Sequence, residues 1–188
     1  FNSIIDLERN KGMPRNPFVN AGALVVVDAL LGIEGGDPNR RVVDFIAHHL
    51  DEEEASFNSK VMESDRSGGN LNRSLMFMAK HHGNLKHEVP DVMEAYVHQC
   101  AIQLNCAGLA KAGRFLMLEG PDERSERGLA ASRRARRILA IMITCGMYDG
   151  SGDFAYRVGL PAKSGVGGGI LAIAPHRASI AAWSQWRE

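Results

Sequence analysis

The sequence lacks several features that would assign it at once to a class of proteins. No apolar run approaches the roughly 20 residues that a membrane-spanning helix needs, and residues 1–9 mix charged and apolar positions instead of forming a signal peptide. Lys plus Arg and Asp plus Glu both number 22, so no excess of positive charge attracts nucleic acid or anionic lipid. We therefore expect a cytoplasmic protein whose partners are small molecules or other proteins.

Cysteine is also scarce. The three cysteines, Cys100, Cys106 and Cys145, are an odd number without CxxC spacing, which argues against a disulfide framework and against a zinc site. His81 and His82 together with His87 are a weak metal candidate, because adjacent side chains point apart and no carboxylate joins them at ligand spacing. We predict buried, reduced thiols and no bound metal.

The overall composition is that of an ordinary globular protein, with 45% hydrophobic and 23% charged residues. The sequence has no initiator Met, and it opens and stops within patterned segments, whereas domain boundaries usually fall in polar linkers. We therefore expect residues 1–188 to form a single, truncated domain. Residues 1–145 are predicted to be mainly helical and residues 146–188 mainly strand.

Helical spacing dominates the first three quarters of the chain. Apolar residues three and four positions apart predict helices over residues 19–31, 39–50, 72–82, 90–100, 105–116 and 132–145. Gly32 and Gly83 are the expected stops of two of these helices, and Asn105 is the expected N-cap of another. A mainly helical region is therefore predicted up to Cys145.

The pattern changes after Gly146, where glycines interrupt short apolar stretches. Strands are predicted at residues 155–160, 161–165, 170–174 and 179–183, and the last two form an antiparallel hairpin around the turn at residues 175–178. Helices first and strands last favour an α+β fold with a small antiparallel sheet.

The most informative segment for chemistry is Lys163-Ser164-Gly165, which a run of glycines follows at residues 167–169. Bare backbone on a strand lets a ligand approach closely and offers N–H groups to a developing oxyanion. A tight glycine turn between two strands is the structural alternative. A phosphate loop is less favoured, because the GxxxxGK order and the following helix are both absent.

The Lys-Ser-Gly triplet resembles the Lys-Ser/Thr-Gly element of the penicillin-recognising serine acyltransferases. Within that superfamily, blocks in the right order resemble the glutaminases: residues 16–23 (Asn-Pro-Phe-Val-Asn-Ala-Gly-Ala), Tyr96 in its helix, residues 145–149 (Cys-Gly-Met-Tyr-Asp) and residues 159–169. The resemblance implies part of a β-lactamase/transpeptidase-like fold and hydrolysis of L-glutamine to L-glutamate and ammonia through a Ser acyl-enzyme. It also implies a homo-oligomer, a dimer or tetramer, without a cofactor.

The resemblance assigns substrate contacts to residues of the helical region. Asn20, Asn72 and Tyr96 match three residues that bind glutamine in the family. Each has a structural alternative, because either asparagine could be the N-cap of its helix and Tyr96 could be a core tyrosine. Where the family has a glutamate that pairs with the substrate α-ammonium, this chain has Asp65, with Glu63 as a rival.

The resemblance places the chemistry itself near the end of the chain. Tyr148 matches a tyrosine beside the nucleophile that relays a proton to the leaving amine. The backbone N–H of Val166 matches one that completes the oxyanion hole. Lys163 and Ser164 are expected to extend the polar wall, so that the glycine-lined sheet edge faces a pocket walled by polar groups of the helical region.

One family element is absent from the sequence, since no Ser stands three positions before a Lys. In the family, that SxxK motif carries the nucleophile and lies a few tens of residues upstream of the block at residues 16–23. We therefore expect the nucleophile to lie before residue 1 and the 188-residue chain alone to be inactive. The alternatives are a non-catalytic glutaminase-like remnant or subunit and, less favoured, a penicillin-binding or β-lactamase relative.

Overall fold

A computed structural model of the chain describes residues 3–50, 55–117 and 126–184. The chain divides into two compact units, the first formed by residues 1–46 and 55–103 and the second by residues 47–54 and 104–188. Neither unit is continuous in sequence, because a short segment around residue 50 belongs to the second unit. The prediction of one truncated domain stays a prediction.

The first part of the chain is mainly helical. Its helices are α1 (Ile4–Arg9), α2 (Asn20–Leu31), α3 (Arg41–Ala47), α4 (Ser59–Gly68), α5 (Asn70–His81) and α6 (Val89–Cys100). Two short strands, β1 (Ser56–Phe57) and β2 (Ile102–Gln103), pair antiparallel. Helices α2, α5 and α6 pack around an apolar core that includes Leu24, Leu75, Met76, Val92 and Val97.

The second unit combines helices with a sheet. Helix α7 (Cys106–Ala112) runs into a 3₁₀ helix (Gly113–Met117), and α8 (Glu126–Cys145) is followed by a 3₁₀ helix (Tyr148–Gly150) and α9 (Ser151–Arg157). Strands β3 (Ala162–Ser164), β4 (Gly169–Ala174) and β5 (Ala178–Trp183) form an antiparallel sheet in the order β3-β4-β5. The predicted α+β class with a small antiparallel sheet is confirmed.

Several helix boundaries agree with the spacing of the apolar residues. Helices α2, α5 and α6 lie within about two residues of their predicted limits, and Asn105 caps α7 by accepting a hydrogen bond from Gly108 N–H at 2.7 Å. Helix α3 is shorter than predicted and α8 begins earlier. Helices α1 and α4 and the β1–β2 pair were not predicted, because their sequences are short or largely polar.

Two predictions about these elements are wrong. Residues 155–160 were predicted as a strand, but residues 151–157 are helical in α9, where Arg157 donates a hydrogen bond to Asp153 one turn earlier at 2.8 Å. The cysteines were predicted to be buried, but Cys100 and Cys106 are exposed and Cys145 is half-buried. The spacing of apolar residues does not identify α9, because a helix this short depends on polar side chains as much as on apolar ones.

Asp28 is a buried carboxylate that ties α2 to the loop between α5 and α6. Its side chain accepts hydrogen bonds from the backbone N–H groups of Lys86 and His87 at 2.9 and 2.8 Å, and His87 Nδ1 lies 2.9 Å from Asp28 Oδ1. Burial by itself raises the pKa of a carboxyl group, but the hydrogen bonds from His87 and Lys86 outweigh it and lower the pKa of Asp28. The ionised carboxylate therefore stabilises the first unit.

We expect Asp28→Asn to lower the free energy of unfolding by roughly 2–4 kcal/mol at pH 7, because the amide cannot accept all of these bonds and leaves a buried donor unpaired. Urea denaturation of the whole chain measures this loss. Asp44→Asn is the matched control, since exposed Asp44 pairs with exposed Arg40 at 3.1 Å and such a pair contributes less than about 1 kcal/mol.

The stabilisation by Asp28 has a defined pH dependence. Because the folded-state pKa lies below the ordinary value of 3.8, the unfolded chain binds the proton first as pH falls. The contribution is complete above that ordinary value and is lost as pH falls through the lower folded-state pKa. Wild type and Asp28→Asn should therefore converge in stability in strong acid, and a constant difference down to pH 2 would contradict the assignment.

Candidate active site

The block at residues 16–23 sets the start of α2. Asn16 Oδ1 accepts hydrogen bonds from the N–H groups of Phe18 and Val19 at 2.9 and 3.2 Å, which folds the chain into a tight Asx-type turn before the helix. A Cβ atom on Gly22 would lie 1.9 Å from the carbonyl oxygen of Asn16, so only glycine lets α2 approach this turn. The block therefore fixes the position of Asn20, the first residue of α2.

Asn20 and Asn72 contact each other directly. Asn20 Nδ2 donates to Asn72 Oδ1 at 3.0 Å, and both side chains are half-buried. Neither residue is a helix cap, because Val19 is the N-cap of α2 and Gly69 is the N-cap of α5. The alternative that both asparagines are N-caps of their helices is therefore wrong. Their amide groups instead form one hydrogen-bonded polar pair.

Asp65, Tyr96 and Cys100 form a second polar group, between the packed helices α4 and α6. Although Cys100 is exposed as a residue, desolvation raises the pKa of its thiol; the nearby Asp65 carboxylate adds to this rise and a hydrogen bond from Tyr96 opposes it. Asp65 and Tyr96 are half-buried, whereas Glu63 is exposed. Of the two rival carboxylates, Asp65 is the half-buried one and the one whose charge acts on Cys100.

The block at residues 145–149 lies against strand β3. Ser164 N–H donates to the Gly146 carbonyl at 3.1 Å, and a Cβ atom on Gly146 would lie 1.8 Å from the carbonyl oxygen of Ala162. The glycine is therefore required for this close approach. As a result, Tyr148 stands beside the Lys163-Ser164 strand within one unit.

Tyr148 has an unusual backbone and a cationic neighbour. Its φ of 53° lies in the left-handed region, which costs a residue other than glycine about 1–2 kcal/mol. Lys163 Nζ lies 4.3 Å from the centroid of the Tyr148 ring and donates to the carbonyl of Ser164. Burial lowers the pKa of the Lys163 ammonium, and the nearby Cys145 thiol acts in the opposite direction.

Val166 occupies the turn between β3 and β4. Gly165 N–H donates to the Gly169 carbonyl at 2.7 Å and Gly168 N–H donates to the Gly165 carbonyl at 3.1 Å. These bonds close the tight turn that was the structural alternative for the glycine run. The Val166 side chain is 80% exposed. Among the residues described, no acceptor takes the Val166 backbone N–H, so this donor remains open to a ligand.

The predicted site residues thus form three local groups. In the first unit Asn20 contacts Asn72, and Asp65 lies on α4, which packs against the helix of Tyr96. In the second unit, Tyr148, Lys163, Ser164 and Val166 lie on or against one hairpin. That all of them wall one pocket stays a prediction.

A small cleft beside α1 contains none of these residues, and no cluster of three metal-binding side chains occurs in the described part of the chain. No helix there is long and apolar enough to cross a bilayer.

Sequence reasoning missed two contributors to this geometry. Ser151 bonds to the backbone around Tyr148, and Gly146 makes the close approach to β3. No capping signal marks the start of α9, because Gly150 is its N-cap and no side chain caps it. The glycine-rich surroundings of Ser151 predicted mainly strand instead.

Comparison with known proteins identifies the same fold and sequence pattern elsewhere. A family model described as Glutaminase matches residues 1–185. The glutaminase of Agrobacterium fabrum is 49% identical over 187 residues, which are 98% of this chain and 60% of that protein. The glutaminase of Rhizobium rhizogenes is 48% identical over the same shares.

Solved structures of glutaminases are also similar to this chain. A probable glutaminase of Bacillus subtilis superposes with a TM-score of 0.80 at 33% identity, over 96% of this chain and 60% of that one. A structure described as Mglu in its glutamate form gives a TM-score of 0.83 at 34% identity, over 98% of this chain and 42% of that one. The chain therefore has the fold of the corresponding part of solved glutaminases, and it spans 60% of the length of the curated relatives it matches.

Proposed function

Because this chain belongs to the glutaminase family, we propose that the protein hydrolyses the side-chain amide of L-glutamine to L-glutamate and ammonia. The reaction runs through an acyl-enzyme on a serine that lies outside these 188 residues, since no SxxK motif occurs within them. The chain described here supplies the substrate-binding groups and the proton relay.

The observation that carries this proposal is the close approach of the block at residues 145–149 to strand β3. Gly146 and Ser164 are hydrogen-bonded at 3.1 Å, and the Tyr148 ring packs 4.3 Å from Lys163 Nζ. The Tyr148 phenol therefore lies next to the Lys163 ammonium group, within the block that matches the family. We assign Tyr148 the transfer of a proton to the departing ammonia, and Lys163 and Ser164 the polar wall beside it.

The oxyanion of the tetrahedral intermediate needs preorganised donors. We propose that the Val166 backbone N–H is one of them, because it has no acceptor among the described residues and the glycines beside it leave room for a ligand. The side chain has no part in this role, which agrees with its 80% exposure.

The polar groups of the first unit suit the two charged ends of an amino acid. We propose that Asp65 pairs with the substrate α-ammonium, because a buried ammonium without a carboxylate costs several kcal/mol. Asn20, Asn72 and Tyr96 donate to the α-carboxylate and the side-chain amide. That one similar structure is of a glutamate form supports glutamate as a ligand of this site. We further propose a cytoplasmic homo-oligomer, a dimer or tetramer, that needs no cofactor.

The test is ammonia release by the chain alone and by a full-length version, meaning these residues together with the segments that extend the relatives' chains. We expect the full-length version to release ammonia from L-glutamine and not from a β-lactam, and the chain alone to release none. Absence of release by a folded full-length version would favour a non-catalytic relative. Cleavage of a β-lactam would favour the penicillin-binding alternative, and turnover by the chain alone would overturn the external nucleophile.

A further inference from the structure

Ser151 is a buried polar residue that has no part in the chemistry proposed above. Its relative exposure is 5%, and it begins helix α9 three residues after Tyr148. Buried hydroxyl groups are nearly always hydrogen-bonded. The partners of this hydroxyl therefore indicate what the residue does.

Both partners of the Ser151 hydroxyl are backbone groups next to Tyr148. Ser151 Oγ accepts a hydrogen bond from Met147 N–H at 3.0 Å and donates one to the Tyr148 carbonyl at 2.7 Å. The two bonds thus join Ser151 to the N–H of residue 147 and to the carbonyl of residue 148. One side chain therefore spans the peptide groups that set the backbone of Tyr148.

The backbone of Tyr148 needs such a restraint. Its φ of 53° is in the region that residues other than glycine rarely adopt, and a strained conformation of this kind persists only where its surroundings hold it. On the preceding side the Gly146 carbonyl is bound to Ser164 N–H. Ser151 supplies the restraint on the following side.

We propose that Ser151 is a positioning residue for Tyr148, whose hydroxyl holds the left-handed backbone that directs the phenol to the leaving amine. This inference rests on the proposed function of Tyr148. Ser151 itself contacts neither the substrate nor the reacting atoms. Its effect on the rate therefore passes entirely through Tyr148.

The kinetic test uses Ser151→Ala in the full-length version. We expect kcat for glutamine to fall about 10- to 100-fold, because a displacement of about 1 Å costs up to 10²-fold, and KM to change less than about twofold. Ser151→Thr, which restores the hydroxyl, should recover most of the rate. Thr144→Val is the matched control, since the Thr144 hydroxyl also donates to backbone carbonyls of its own helix and is not bonded to residues 147–148.

A double-mutant cycle separates positioning from general damage to the fold. In a Tyr148→Phe background, Ser151→Ala should lower kcat by less than about twofold further, because the group it positions is already gone. An equal loss in both backgrounds would overturn the proposal, since it would mean that Ser151 acts independently of Tyr148.

A second readout needs no activity. Fluorotyrosine labelling of the full-length version gives one ¹⁹F resonance for each tyrosine, and Tyr148→Phe identifies the one that belongs to Tyr148. Ser151→Ala should shift or broaden that resonance and leave those of Tyr96 and Tyr156, the other two tyrosines of this chain, in place. An unmoved Tyr148 resonance would overturn the inference even in an active enzyme, whereas a moved resonance in a full-length version without glutaminase activity would refute only the proposed function.

Discussion

Tyr148→Phe in the full-length version should reduce kcat for glutamine by about 10²- to 10⁴-fold, which corresponds to roughly 3–5 kcal/mol of activation free energy. The phenylalanine ring retains the packing against Lys163 and removes only the hydroxyl to which we assign the proton transfer. KM should change little, because we assign the substrate's charged ends to other residues. Steady-state ammonia release and a glutamate-binding measurement by calorimetry together check both parts.

Tyr156→Phe is the matched control for this experiment. Tyr156 lies in α9 of the same unit, and it is 91% exposed, so loss of its hydroxyl should leave kcat unchanged. A wild-type rate for Tyr148→Phe would remove Tyr148 from the mechanism. A loss of glutamate binding equal to the loss of kcat would instead assign Tyr148 to substrate binding.

The second large effect is expected from Gly22→Ala, which should lower the free energy of unfolding by about 3 kcal/mol or more. The new methyl group would lie 1.9 Å from the Asn16 carbonyl oxygen. The backbone fixes the positions of both the Cβ atom and this carbonyl, so neither can rotate away. Helix α2 must therefore move off the turn at residues 16–19. Urea denaturation measures the loss, and Asn20 should lose its contact with Asn72 as well.

Gly32→Ala provides the comparison, because Gly32 ends the same helix with a φ of −72° and a Cβ atom there has no neighbour closer than 3.5 Å. This substitution should be neutral or stabilise by up to about 1 kcal/mol, since it restricts the unfolded chain. Equal stabilities of the two variants would show that the close approach of α2 to Asn16 is not a constraint on the fold.

The parts of the fold that could be predicted from the sequence are those that apolar spacing determines. Helices α2, α5 and α6 bury one continuous core, so their patterns are strong. Helix α9 was missed because it is only 7 residues long and no side chain caps its start. The β1–β2 pair joins residues more than 40 positions apart through bonds such as Asn58 N–H to the Ala101 carbonyl at 2.7 Å, which no local pattern contains.

The candidate site could also be predicted only in part from the sequence. The resemblance supplied the residue types, and the turn at Val166 agrees with the structural alternative that the glycine run left open. The contact of Asn20 with Asn72, which are 52 positions apart, and the packing of Lys163 on Tyr148 depend on tertiary structure. The left-handed backbone of Tyr148 was also beyond prediction, because tyrosine has no intrinsic preference for it.

The open N–H at position 166 has a consequence for how this protein tolerates change. A donor that belongs to the main chain is present in nineteen of the twenty amino acids, and an outward-facing side chain places few demands on size or polarity. A survey of single substitutions would thus rank position 166 as permissive and overlook it. Proline alone removes the hydrogen, so its effect there would differ in kind from that of every other replacement.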